Sequence, residues 1–304
     1  MVLGACLLTL ILALFIPSKQ MEKKRGVLGR NSGVVGVINI EGPIVGSTEG
    51  STFSGFASSK RIMEQLRQAR DDEDVVAVVL RINSPGGSAA ASQEIGVEVN
   101  RLREAGKKVV VSMGDVAASG GYWIAAGADK IVANPATMTG SIGVIMELQN
   151  FQGLMGKLGI RSEAIKSGPH KDMGSPTREI TEGERDILQG MVNDIYTQFI
   201  DVVTKGREGK MTREQVIQLA DGRIFTGRQA RELGLVDELG NYYDAVRLAG
   251  QLAGIAGEPQ TREYTTENLL DWLFSGWRSF VAWPGLLMPE QLEAWRQLRL
   301  PELK

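Results

Sequence analysis

The chain has 304 residues, 43% hydrophobic and 23% charged, with 37 glycines against 10 prolines. This is ordinary globular usage, long enough for a full α/β core, and it excludes disorder as the main state and a collagen-like repeat. The 34 basic and 36 acidic side chains leave a formal charge of −2, so bulk electrostatics give no reason to expect nucleic acid binding.

The lone cysteine, Cys6, rules out an internal disulfide and a cysteine metal cluster. The lone histidine, His170, rules out a metal site with two histidines and forces any histidine-based triad through itself.

Residues Met1 to Ile16 are apolar or small and uncharged; Pro17 then interrupts, and Lys19, Lys23, Lys24 and Arg25 follow. This pattern reads as a retained, single-pass membrane anchor over residues 1–16. As a helix it reaches about 24 Å, short of a hydrocarbon core of roughly 30 Å, which points to a late start or a partly interfacial span. The rival is a cleaved signal peptide, but a basic n-region and a small-x-small site are not visible. Leu3-Gly4-Ala5-Cys6 has the outline of a lipoprotein box, yet lies too close to Met1 to follow a hydrophobic region. The basic residues after the segment favour a cytoplasmic C-terminal side, without settling which side of the membrane carries the rest.

A linker over 17–33 leads to Val34–Ile40, a β-branched run that predicts a buried strand ending at Gly42-Pro43. A Gly/Ser/Thr-rich loop from Gly46 gives way to a helix over about Ser59–Ala69. Val75–Ile82 is almost continuously apolar, the pattern of a strand covered on both faces. Ser88 is placed to cap a helix that carries Ile95, Val99 and Leu102 on one face and stops at Gly106; Lys108–Met113 is the next strand. A short helix is expected from Ser119–Gly121 to Gly127, then strands near Lys130–Ala133 and Ser141–Met146. Helices follow over Glu182–Thr204, from about Thr212, and over Tyr242–Ala253, with turns and short apolar pieces across Gly222–Leu239. Successive β-α-β units predict right-handed crossovers in an α/β layered domain over residues 34–256. The tail, 257–304, holds four of the five tryptophans, and Leu269, Leu273, Trp277 and Phe280 share one helical face. It suits a membrane interface or docking on a partner subunit.

Two turns and one loop are candidates for chemistry. Asn83-Ser84-Pro85-Gly86-Gly87 follows a buried strand and precedes a helix, so its backbone N–H groups are free to approach a substrate oxygen; a plain strand-to-helix turn has the same composition. Ser119, in Ala117-Ala118-Ser119-Gly120-Gly121, has the small neighbours and the adjacent Gly120 N–H that a nucleophile needs, or is simply an N-cap. A serine nucleophile requires a base. His170 lies in a Gly/Pro-punctuated loop, Ser167 to Pro176, that also carries Lys171, with Lys166 as nearest competitor. A lysine base must lose about 2–3 units of pKa by burial to be neutral near pH 7.5, whereas most lysines are solvated surface groups.

Six segments occur in order. They are V-I-N-I-E-G-P-I at Val37–Ile44, I-N-S-P-G-G at Ile82–Gly87, A-A-S-G-G-Y-W-I-A at Ala117–Ala125, G-S-I-G-V at Gly140–Val144, K-S-G-P-H-K-D at Lys166–Asp172 and D-G-R-I-F-T-G at Asp221–Gly227. With them the chain resembles, over roughly Val34 to Gly254, the signal peptide peptidase A family: membrane-anchored Ser/Lys proteases of the superfamily that includes Clp protease and crotonase. The resemblance implies a Clp protease/crotonase-like α/β fold preceded by an N-terminal membrane segment. It implies Ser119 as nucleophile, Lys171 as general base, Ser141 as the hydroxyl that orients the lysine, and Gly86 and Gly120 as the oxyanion hole, with Gly87 a close alternative. It implies no cofactor and no metal. Expected partners are peptide substrates, namely signal peptide remnants and other apolar peptides, the cell membrane, and further copies in a ring or dome, an octamer among the candidates, with sites shared between neighbours in some members. The competing readings are a crotonase-like enzyme acting on an acyl-CoA thioester and a catalytically inactive membrane scaffold.

Overall fold

The computed structural model describes residues 33–46 and 55–264. The chain runs β1 (Val34–Glu41), β2 (Ile44–Val45), β3 (Ala57–Ser58), α1 (Ser59–Asp71), β4 (Val75–Ser84), α2 (Ala89–Glu104), β5 (Lys108–Ala118), α3 (Gly120–Ala126), β6 (Lys130–Ala133) and β7 (Met138–Gly140). It continues through α4 (Gln152–Lys157), α5 (Glu182–Gly206), α6 (Arg213–Leu219), β8 (Ile224–Thr226), α7 (Gly227–Glu232), β9 (Glu238–Leu239), α8 (Tyr242–Leu252) and β10 (Thr261–Glu263). The expected anchor over 1–16, most of the linker, and the tail beyond residue 264 lie outside the described residues. Among the described residues no helix is long and apolar enough to cross a membrane.

The main sheet runs β10-β1-β4-β5-β6-β9 with every neighbouring pair parallel; β7 adds to β5 and pairs antiparallel with β8, while β2 and β3 form a separate two-stranded sheet. Alternation within β4 explains the layering. Val78, Leu80 and Ile82 face the larger core with Ile62 and Leu66 of α1 and Ile95, Val99 and Leu102 of α2, while Ala77 and Val79 face Ala245, Val246 and Ala249 of α8. Both faces are covered, so the continuous apolar runs are the expected consequence. Ser88 Oγ accepts the Ala91 N–H and caps α2 as its position predicts.

Two boundaries differ from the sequence reading. The sheet continues past residue 256: β10 pairs with β1, Arg262 forms ion pairs with Asp72 and Asp74, and the Tyr264 hydroxyl donates to Asp72 at 2.8 Å. The strand expected over Ser141–Met146 instead lies just upstream, at Met138–Gly140. Its end is set by Ser141, whose φ of +50° turns the backbone out of the ladder. Beyond it the chain leaves the core: between Gly143 and Gln198 the only buried residue is Glu184.

The C-terminal third of α5 returns to the body, where Phe199 packs on Trp123 of α3 with ring centroids 4.8 Å apart. Arg207, fully buried, holds this junction. Its Nη1 and Nη2 each donate to Asp237 at 3.0 Å, Lys210 joins the same carboxylate, and Asp237 also accepts the Ile131 N–H of β6 at 2.8 Å. Burial pushes the Asp237 carboxyl up, but the bonds from Arg207 and Lys210 outweigh it and leave the group below its usual range. Replacing Arg207 by methionine strips the main partner from a buried charge. Denaturant unfolding of Arg207→Met is expected to show a loss of about 3–5 kcal/mol.

Candidate active site

The ends of β4 and β5 lie side by side, with Ser84 opposite Ala117, and each strand breaks into a glycine turn before its helix. The turns touch backbone to backbone. Gly86 has φ +100°, and a Cβ placed on it would lie 2.7 Å from both Ser119 Cβ and Gly120 N. One on Gly120 would lie 2.3 Å from Ser92 Oγ and 3.3 Å from Gly87 N. Only glycine meets both demands at position 86, the left-handed backbone and the missing side chain.

Ser119 is itself in a strained conformation, φ +52° and ψ −120°; it and Ser141 are the non-glycine residues with positive φ among those described. Such a backbone costs on the order of 1–3 kcal/mol and persists only where its surroundings hold it. Here the Ser119 N–H donates to Gly140 O at 2.9 Å, and Ser119 O accepts the Trp123 N–H at 2.9 Å. The side chain makes no capping bond to α3, which removes the plain N-cap reading. Its half-exposed hydroxyl is left without a hydrogen-bond partner among the described residues.

Three amides lie near it. The Gly86 N–H is already committed, donating to the buried Ser84 Oγ at 3.1 Å. Those of Gly87 and Gly120 donate to no acceptor among the described residues. The serine two residues before Gly86 makes the Ser/Thr turn for which Ser84-Pro85-Gly86 carries the local signal.

Ser141 is adjacent by construction, because it follows Gly140, the residue that holds the Ser119 N–H. Its own N–H donates to Arg223 O at 2.8 Å, and Gly222 N donates to Ile142 O at 3.1 Å, so the Asp221-Gly222-Arg223 turn seats it. Hydrogen bonds from Arg223 hold the Asp221 carboxyl down at about 2.

Lys171 stands apart from this cluster. It is exposed, and no hydrogen bond joins its amine to Ser119 or Ser141 within the chain; the loop's bond is backbone, Lys171 N–H to Gly168 O at 3.3 Å. His170 is exposed too. Lys166 is engaged elsewhere, donating to Asp172 at 2.5 Å and to Pro169 O at 3.1 Å.

Residues 101–256 match the family model described as Peptidase family S49. The chain is 45% identical over 206 residues to the putative protease slr0021 of Synechocystis sp., covering 68% of this chain and 72% of that one. It is 38% identical over 240 residues to a putative signal peptide peptidase SppA of Enterococcus faecium, covering 79% and 69%, and 36% identical over 269 residues to Protease 4 of Haemophilus influenzae, covering 84% and 43%. It thus spans less than half the length of that last relative. The chain belongs to peptidase family S49. Within it, the likeness to Protease 4 and to the SppA peptidase makes it a protease of the SppA type.

The close contact of the two turns has a direct consequence. Gly86→Ala forces a methyl against Ser119 and Gly120, and peptide hydrolysis is expected to fall by about 100-fold or more while circular dichroism keeps its native shape.

Proposed function

We propose that this chain is a membrane-anchored serine endopeptidase that degrades cleaved signal peptides and other apolar peptides, with Ser119 as nucleophile and Lys171, brought by a neighbouring copy of the chain, as general base. The observation that carries the reading is Ser119 held at positive φ with an unengaged hydroxyl beside two unengaged N–H groups. Its Oγ attacks the scissile carbonyl, the proton passes to a neutral lysine amine, and the amine returns it to the leaving nitrogen. The developing oxyanion is received by the Gly87 and Gly120 N–H groups; the commitment of the Gly86 N–H to Ser84 favours Gly87 over Gly86 in that role, leaving Gly86 to make the contact possible. Ser141, the residue after the acceptor of the Ser119 N–H, is assigned to orient the incoming amine.

The neighbouring copy follows from the state of Lys171. At the ordinary lysine pKa, roughly 0.1% of the amine is neutral at pH 7.5, and desolvation is the means of raising that fraction. The described residues leave Lys171 exposed, which favours cover from a neighbouring copy. The segment that carries it also exposes apolar side chains: Ile145 at 80%, Leu154 at 56%, Leu158 at 64% and Ile165 at 103%. An apolar surface on the same segment as an unburied base favours a second copy as its cover, and a ring or dome repeats that contact. The apolar segment over residues 1–16 supports attachment to the cell membrane, and the name of the Enterococcus relative supports remnant signal peptides as substrates. A scaffold or thioester enzyme leaves the strained, unengaged serine without a purpose.

Ser119→Ala and Lys171→Ala are each expected to abolish turnover of an apolar peptide, while His170→Ala stays active. Mixing the two dead variants one to one should restore activity at about a quarter of the interfaces of a cyclic assembly. Turnover in Lys171→Ala would refute the base, and a mixture that assembles but stays inactive would refute the shared site. Activity of the native enzyme should rise from pH 7 to 9 as the amine loses its proton; a flat profile would count against a titrating base.

A further inference from the structure

The loop that carries Lys171 has almost no apolar cover, so its shape rests on polar bonds. Three successive turns form it: Lys171 N–H to Gly168 O at 3.3 Å, Met173 N–H to His170 O at 3.1 Å, and Ser175 N–H to Asp172 O at 3.0 Å. Asp172, the next residue after Lys171, is then gripped by Arg178. Nε donates to Oδ2 and Nη2 to Oδ1, both at 2.9 Å, and Nη2 reaches the Asp172 carbonyl at 3.1 Å. The same guanidinium turns its other edge to Glu184, with Nη1 to Oε2 at 2.8 Å and Nη2 to Oε1 at 2.5 Å. Glu184 is 2% exposed and closes the capping box of α5, accepting the Thr181 N–H at 3.0 Å.

We propose that Asp172, Arg178 and Glu184 are the positioning residues of the general base: they tie the Lys171 loop to the first turn of α5 and neutralise the carboxylate of the residue that follows the lysine in sequence. The inference rests on the reading of Lys171 as base.

The electrostatic half follows from the sign of the neighbour. An uncompensated carboxylate beside a lysine favours the ammonium, the wrong state for a base. Here Asp172 shares Arg178 and Lys166, and Arg178 shares Glu184, so Lys166, Asp172, Arg178 and Glu184 sum to zero. Hydrogen bonds from Arg178, then Lys166, hold the Asp172 carboxyl far below its usual range, and Arg178 holds Glu184 at about 2. Both therefore stay ionised wherever the enzyme works, and they do not titrate alongside the lysine. Glu179 and Arg185 line a cavity of about 510 Å³ together with Arg178, and Glu182 shares the first turn of α5 with Glu184. His170 adjoins Lys171 on the loop itself. The geometric half explains the choice of arginine: a planar fork bridges two carboxylates at once, which an ammonium does not.

The test is the pH dependence of kcat/KM of the assembled full chain on a fluorogenic apolar peptide, from pH 6 to 10. Arg178→Gln exposes the amine to the Asp172 charge, so the midpoint of the alkaline rise should move up by about one unit, with about a tenfold loss at pH 7.5. Asp172→Asn leaves excess positive charge and should move the midpoint down. Arg178→Lys should restore the midpoint while recovering only part of the rate. Combining Arg178→Gln with Asp172→Asn should bring the midpoint back without the rate. A purely structural role moves rates and melting temperatures but neither midpoint, and that result in assembled variants would overturn the proposal. Should Arg178→Gln fail to assemble, a downward shift in Asp172→Asn against an unmoved midpoint in Arg178→Lys still decides it. Turnover surviving in Lys171→Ala would sink the base assignment, whereas a dead Lys171→Ala with unmoved midpoints in the other variants would sink the network alone.

Discussion

Everything at the centre of this protein depends on two backbone turns touching without side chains between them. Adjacent parallel strands sit about 4.8 Å apart, and that spacing carries into the turns only if neither adds a Cβ at the point of contact. Gly86 and Gly120 supply the gap. The parallel sheet aligns the two strand ends, the glycines let them close, and the closure sets Ser119 beside the Gly87 and Gly120 N–H groups, which donate to no acceptor among the described residues. The strain at Ser119 is local and the support for it distributed: Gly140 holds its N–H, β7 and β8 hold Gly140, and the Asp221–Arg223 turn holds Ser141.

The segment from Gly143 to Gln198 follows a different logic. The body is held by apolar burial on both faces of a sheet, and a buried ion pair, Arg207 with Asp237, fastens α5 where it returns. The segment buries one residue, a glutamate, and is organised by charge-assisted hydrogen bonds around one arginine. Such bonds set direction well and supply little cohesion where they are exposed, so the segment is well shaped while presenting apolar side chains to its surroundings.

Much of this was legible in the residues. Unbroken runs such as Val75–Ile82 have few solutions other than a strand covered on both faces, and Ser88 and Gly106 marked the ends of a helix by their capping chemistry. The stretch Ser141–Met146 misled because its apolar residues look the same whether they face the chain's own core or the outside; Ile145 and Met146 are exposed. No local pattern distinguishes those cases. The commitment of the Gly86 N–H was equally hidden, since Ser84 can make a turn with it or leave it free, and the packing around the turn decides. The capping-box pattern Thr181-x-x-Glu184 was visible, but a pairing of Glu184 with Arg178 and Asp172 depends on how the loop folds back. Arg207 with Asp237 joins residues remote in sequence and left no local trace.

The dependence of Ser119 on β7 and β8 also fixes when the serine can take up its final pose. During synthesis, Ser119 leaves the ribosome long before Gly140, and Gly140 long before Arg223 and Ile224, which complete its surroundings. A nascent chain that stops short of β8 therefore carries Ser119 without the β7–β8 pairing that seats Gly140, the acceptor of its N–H.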